Sequence, residues 1–77
     1  MKRLQDQQKN VKKRKEILRI DEVASWLSIS DRQVYRLISN GEIEAFKIRS
    51  SLRIRSKSVS EYIRRQVRDF QNELYGL

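Results

Sequence analysis

Only three residues, Ser28, Ile29 and Ser30, separate two short apolar stripes in this chain, and that spacing restricts the fold more than any other feature of the sequence. Val23, Ala24 and Leu27 fall at the i, i+1, i+4 spacing of one helical face, with Trp26 to its side. Asp21 and Glu22 just before them suit the positive end of a helix dipole, so a first short helix is expected to begin near Ile17 to Ile20. Beyond the break, Ser30 and Gln33 have the spacing of a capping box, and Val34, Leu37 and Ile38 make a second inward stripe. Asn40 and Gly41 end that helix, because Gly41 can take the left-handed conformation without a steric penalty. Ala24 is small where the two helices cross, and Ile29 is the apolar residue that plugs the turn.

The rest of the domain is expected to be a hairpin and one long helix. Ala45 to Arg49 and Leu52 to Arg55 alternate strictly, which predicts two strands with Phe46, Ile48, Leu52 and Ile54 on one face and Lys47, Arg49, Arg53 and Arg55 on the other. Ser58 and Glu61 repeat the capping-box spacing and predict a helix from about Val59 to Leu74, along which Val59, Tyr62, Ile63, Val67, Phe70 and Leu74 continue an apolar stripe. The expected fold is mainly α with a small β-hairpin, a winged helix-turn-helix. Its parts are a basic arm over residues 1–16, the domain over 17–66 and a helical extension over 67–77.

Composition narrows what such a chain can do. A single domain within 77 residues buries only roughly 60% of the surface its unfolded chain exposes, which argues against a deep catalytic cavity. There is no Cys and no His, so thiolate or imidazole metal ligands, disulfides and a histidine base are excluded, and stability must come from one apolar core. No carboxylate cluster suggests metal-assisted cleavage, and neither an enzymatic activity, a cofactor nor a small-molecule substrate is expected. No apolar run approaches a membrane span or the centre of a secretory signal, and the expectation is a cytoplasmic protein that does not engage membranes.

The net charge is +8, and it is divided unevenly. Residues 1–20 carry 8 basic and 2 acidic groups, residues 45–68 carry 8 and 1, and residues 21–44 between them carry 2 and 5. Two basic blocks without long opposing runs of Leu, Phe or Trp favour a nucleic acid over an anionic membrane as the polyanionic partner. In the arm, Lys12, Lys13, Arg14 and Lys15 form either a solvated charge run or a grip on phosphates. On the second helix, Ser30, Asp31, Arg32, Gln33, Tyr35, Arg36 and Ser39 lie at its start or along its outward side. Arg can hold two acceptors on a guanine and Gln can pair with an adenine, although either Arg could instead pair with Asp31 or another nearby acid. Lys47, Arg49, Ser50, Ser51, Arg53 and Arg55 supply the second surface, whose like charges repel in water unless a polyanion relieves them.

The segments DEVASWLSIS, RQVYRLISNGEIEAFKI, LRI and SEYI within residues 17 to about 65 resemble the excisionase-type helix-turn-helix domain, a winged relative of the MerR DNA-binding domain. The resemblance implies a recognition helix in the major groove of double-stranded DNA, with Arg32, Gln33, Tyr35 and Arg36 on it. It also implies a wing, with Lys47, Arg49, Ser51 and Arg53, that touches the backbone or the neighbouring minor groove. The implied role is that of a bacterial or phage-encoded recombination directionality factor that bends attachment-site DNA for a tyrosine recombinase, or alternatively a small transcription regulator. Members commonly carry Gly at the wing tip, where this chain has Arg49, Ser50 and Ser51. Arg19 stands where Thr or Ser often caps the first helix, Glu44 where Pro is common and Leu52 where an aromatic is common. Val67, Phe70 and Leu74 are expected either to fold back on the body, against Trp26 or the arm, or to contact another protein. That protein would be a neighbouring copy on DNA or the recombinase.

Overall fold

The computed structural model describes residues 15–76, so the arm residues Lys12, Lys13 and Arg14 lie outside the described residues. The elements run β1 (Ile17–Leu18), α1 (Ile20–Leu27), α2 (Asp31–Ser39), β2 (Ala45–Ile48), β3 (Ser51–Arg55) and α3 (Ser56–Leu74). The described residues are mainly helical with one small antiparallel sheet of order β1-β3-β2, the layout of a winged helix-turn-helix. No described helix is long and apolar enough to cross a membrane.

The start of the domain differs from the sequence expectation. Ile17 and Leu18 do not open the first helix; they pair with Arg55 and Ile54 and add a third strand to the hairpin. Leu18 thereby reaches the core beside Ile54, and Glu16 O accepts a 2.8 Å hydrogen bond from Ser56 N that carries the pairing one step further. Arg19 then caps α1 without a side-chain acceptor. Glu22 supplies what Arg19 lacks, its Oε1 accepting from Arg19 N at 2.8 Å, while the Arg19 guanidinium pairs with Asp21 at 3.1 Å.

The Lys15 ammonium, 2.8 Å from the Glu22 carboxylate, and the Arg19 N–H together hold that carboxyl below its ordinary value of 4.5. A depressed carboxyl contributes stability that is complete above the unfolded value and is lost as pH falls through the folded one. Thermal unfolding should therefore shift to lower temperature on acidification below about pH 4.5, and Glu22→Gln should flatten that dependence. An unchanged acid limb in the variant would show that this pair contributes nothing.

The inter-helix turn works as the spacing requires. Ser28 ends α1 with φ 59°, and the next N–H, that of Ile29, bonds back to Ala24 O at 3.0 Å. Ser30 Oγ then accepts from Gln33 N at 3.1 Å while Gln33 Oε1 accepts from Ser30 N at 3.1 Å, so the capping box starts α2 where expected. At the other end Gly41, at φ 78°, lets Glu42 N reach back to Leu37 O at 2.9 Å.

The core consists of Leu18, Ile20, Val23, Ala24, Val34, Ile43, Ile54 and Val59, with Trp26, Leu27, Ile29, Leu37, Ile38, Ala45, Leu52, Tyr62 and Ile63 packed around it. Every element contributes to one cluster, and each fully buried Val or Ile contributes about 1.5–3 kcal/mol. Ile43, in the loop between α2 and β2, is fully buried and joins the core shared by α1, α2 and the sheet.

The final helix begins a turn earlier than its sequence suggests. Ser58 is inside α3 rather than at its cap, and its Oγ accepts from Glu44 N at 3.1 Å. The backbone at Arg55 passes directly from strand to helix, so no capping side chain is used.

Candidate nucleic-acid interface

On α2 the inward stripe leaves a defined outward side. Val34 is fully buried and Leu37 and Ile38 are half-buried, whereas Asp31, Arg32, Gln33, Tyr35, Arg36 and Ser39 are exposed. Arg32 and Arg36 stand one turn apart on the same side of the helix, with Tyr35 and Ser39 beside them. Among the described residues neither Arg pairs with an acid; the ion pairs are Lys15 and Arg19 with Glu22, Arg19 with Asp21, and Arg68 with Asp69. Their forked donors therefore remain available to an external acceptor.

Ser30 and Gln33 are placed differently from those residues. Both are exposed, yet their side chains are committed to each other's backbone at the start of α2. The Gln33 amide keeps its N–H donors free while its oxygen faces the Ser30 N–H. Lys15 is likewise engaged, since its ammonium pairs with Glu22.

The wing corrects the expectation that four basic residues share one face. Ile48 lies opposite Ser51, so the connection is the two residues Arg49 and Ser50, and Ala45, Phe46 and Lys47 oppose Ile54, Arg53 and Leu52. Directly opposed residues share a face, which puts Phe46, Ile48, Ser51 and Arg53 on the outer face with Arg55. Ala45, Lys47, Leu52 and Ile54 take the other, and Arg49 sits in the loop. Phe46 and Ile48 are consequently 37% and 49% exposed, whereas Ile54 is fully buried. The alternation within each strand is as the sequence indicates; the phase between the strands is not, because a two-residue loop fixes it one position away from apolar alignment. Among the basic side chains, Lys47, Arg49 and Arg55 are exposed, while Arg53 is half-buried and folds back to donate to Leu52 O at 2.8 Å.

Arg49 takes φ 65° at the wing tip, the conformation that the sequence leaves without a glycine. A left-handed residue with a Cβ costs about 1 kcal/mol or more. Arg49→Gly is therefore expected to raise stability by about 1 kcal/mol, read as a higher denaturation midpoint, and a fall would contradict this turn geometry.

Two contacts that local sequence reasoning missed tie the loop between α2 and β2 to α3. Arg65 Nη2 donates to Glu42 O at 2.7 Å, with the guanidinium carbon 6.0 Å from the Tyr62 ring centre, and Ser58 Oγ accepts from Glu44 N. Burial, together with the nearby Glu42 carboxylate, raises the Tyr62 hydroxyl above its ordinary value. These ties span 23 and 14 residues, beyond the reach of any local pattern.

Residues 17–67 match the helix-turn-helix domain family. The chain belongs to that excisionase-like family. A Mycobacterium tuberculosis protein named as a candidate DNA-binding protein is 35% identical over 48 residues, and the same match recurs in the strains CDC 1551 / Oshkosh and H37Rv. The aligned stretch covers 62% of this helix-turn-helix chain and 62% of each relative, so the chain spans about three-fifths of the length of these relatives. No solved structure matches the chain.

Proposed function

We propose that this helix-turn-helix protein binds double-stranded DNA sequence-specifically, with α2 in the major groove and the wing against the flanking backbone or minor groove. The observation that carries the reading is the pair Arg32 and Arg36: exposed, one turn apart on a helix braced by α1, and without an acidic partner among the described residues. The geometry suits a helix-turn-helix, whose second helix presents side chains to base edges while the first crosses the backbone. Lys47, Arg49 and Arg55 on the wing supply phosphate contacts that add affinity without reading sequence. Membership of an excisionase-like family and similarity to M. tuberculosis proteins named for DNA binding support the same reading.

Within that class, the reading is an architectural factor that bends attachment-site DNA for a tyrosine recombinase, as the excisionase resemblance implies. The decisive experiment is footprinting combined with a circular-permutation bending assay on candidate attachment-site DNA, with operator DNA beside it. A protected site with a bend supports the architectural role; protection of operator DNA without a bend replaces it with transcription regulation. No preference for duplex DNA over RNA of matched sequence would overturn the DNA reading itself. Salt gives a further expected result: each phosphate contact adds about 0.9 to the slope of log affinity against log salt. Deleting residues 1–15 should lower that slope, and an unchanged slope and affinity would make the arm a solvated tail.

A further inference from the structure

Two clusters of exposed apolar side chains stand apart on the surface, and their surroundings differ in charge. On α3, Val67, Phe70 and Leu74 are 52%, 60% and 59% exposed and stand clear of the core, among charges of both signs from Arg64, Arg68, Asp69 and Glu73. On the outer face of the sheet, Ile17, Phe46 and Ile48 are 37%, 37% and 49% exposed. Residues 45–60, which include both wing strands, carry five basic groups and no acid. Apolar side chains set among charges of one sign fit a partner that is oppositely charged at its rim and apolar inside. Duplex DNA is such a partner, with phosphates along each groove and stacked bases between them.

Ile48 leads this face. It is the last residue of β2, and it and the residues that follow, to Ser51, are all exposed. Phe46 stands two residues further back, about 7 Å along the strand, where it lines a recess with Ile38 and Gly41 at the end of α2. Ile17, beside Arg55, is at the opposite end of the face. The tip is two strands wide, with about 4.8 Å between backbones, whereas the minor groove of B-DNA is about 6 Å across. Such a ribbon enters the groove only by widening it, and its leading side chain then meets the base stack.

We infer that Ile48 is a wedge: on the reading that the chain binds duplex DNA, its side chain enters the minor groove flanking the α2 site and parts one base step. Lys47 lies on the opposite face of the wing and Arg49 in the loop, so the two cations flank Ile48, and neither joins an ion pair among the described residues. They hold the phosphates beside the parted step. An apolar wedge of this kind unstacks the step and kinks the duplex by about 20–90° toward the major groove. The bend proposed above then comes from one side chain at the wing tip, while α2 selects the site. Pyrimidine–purine steps open at least cost, so the bound site should carry a TA or CA step where the tip falls.

The test uses a duplex that the parent chain selects from a random-sequence pool, with 2-aminopurine placed at successive steps of its flanks to report unstacking. The parent should bend this duplex in a circular-permutation assay and brighten the reporter at one step. Ile48→Ala should protect the same site in a footprint but lose both the bend and the bright step. Its affinity should fall by no more than about tenfold, since the unstacking it no longer makes is itself costly. Ile48→Leu should keep the bend, and Ile17→Ala, at the far end of the face, should leave it unchanged. Urea midpoints of the Ile48 variants near that of the parent separate a lost wedge from a lost fold. A bend that survives in Ile48→Ala overturns the wedge, as does a parent that protects its site without bending it. Loss of the footprint together with the bend makes Ile48 a general affinity contact and overturns the wedge as well. A parent that selects no duplex overturns the DNA reading itself, an outcome distinct from all of these. Binding of the parent to phosphatidylserine vesicles that Ile48→Ala abolishes, with the DNA bend intact, would assign the side chain to a membrane surface instead.

Discussion

Ile54→Ala is expected to cost about 2–5 kcal/mol and to leave the chain largely unfolded under mild denaturing conditions. Ile54 is fully buried in the central strand, opposite Leu18 of β1 on one side and Ala45 of β2 on the other, so its removal opens a void that three strands border. Native domains hold about 0.05–0.15 kcal/mol per residue, which makes a loss of that size a large share of the total for a chain of 77 residues. Ile48→Ala is the matched control. It removes the same atoms from the outer face, where Ile48 is 49% exposed, and its cost should stay well under that of Ile54→Ala. Urea denaturation midpoints of the two variants decide the matter. Equal losses would contradict the register in which Ile48 opposes Ser51 and would favour one that gathers the apolar residues on a single face.

Arg32→Ala and Arg36→Ala should each weaken binding to the specific DNA site by about 1–3 kcal/mol, a loss of roughly five- to 150-fold. Both side chains are exposed and neither joins an ion pair among the described residues, so the thermal midpoint should stay near that of the parent. The loss should be larger on the specific site than on random duplex, because base contacts carry discrimination whereas phosphate contacts weaken all sequences alike. Gln33→Ala offers a useful contrast: it removes half of the capping box, so part of its effect should appear in stability. Undiminished binding by both Arg variants would remove α2 from the recognition role.

The α1–turn–α2 unit was legible in the sequence because its determinants are local. The stripes of Val23, Ala24 and Leu27 and of Val34, Leu37 and Ile38, the Ser30 and Gln33 box and the Gly41 cap all act within a turn or two of helix, where spacing alone specifies which side chains meet. The outward side of α2 followed from the same arithmetic, since residues off the inward stripe are exposed. Alternation likewise located β2 and β3, yet it carries a period without a phase. Which face Phe46 and Ile48 occupy depends on the length of the Arg49 and Ser50 loop, and a shift of one residue exchanges the faces. Pairing of Ile17 and Leu18 with β3, diversion of Ser58 from a cap to the Glu44 N–H, and the reach of Arg65 to Glu42 are contacts between segments far apart in the chain. Only packing decides them. The α3 stripe shows the division most clearly. Its apolar period runs unbroken through Val59, Ile63, Val67, Phe70 and Leu74, but Val59 is buried and Leu74 exposed, because the core against which the helix packs ends before the helix does.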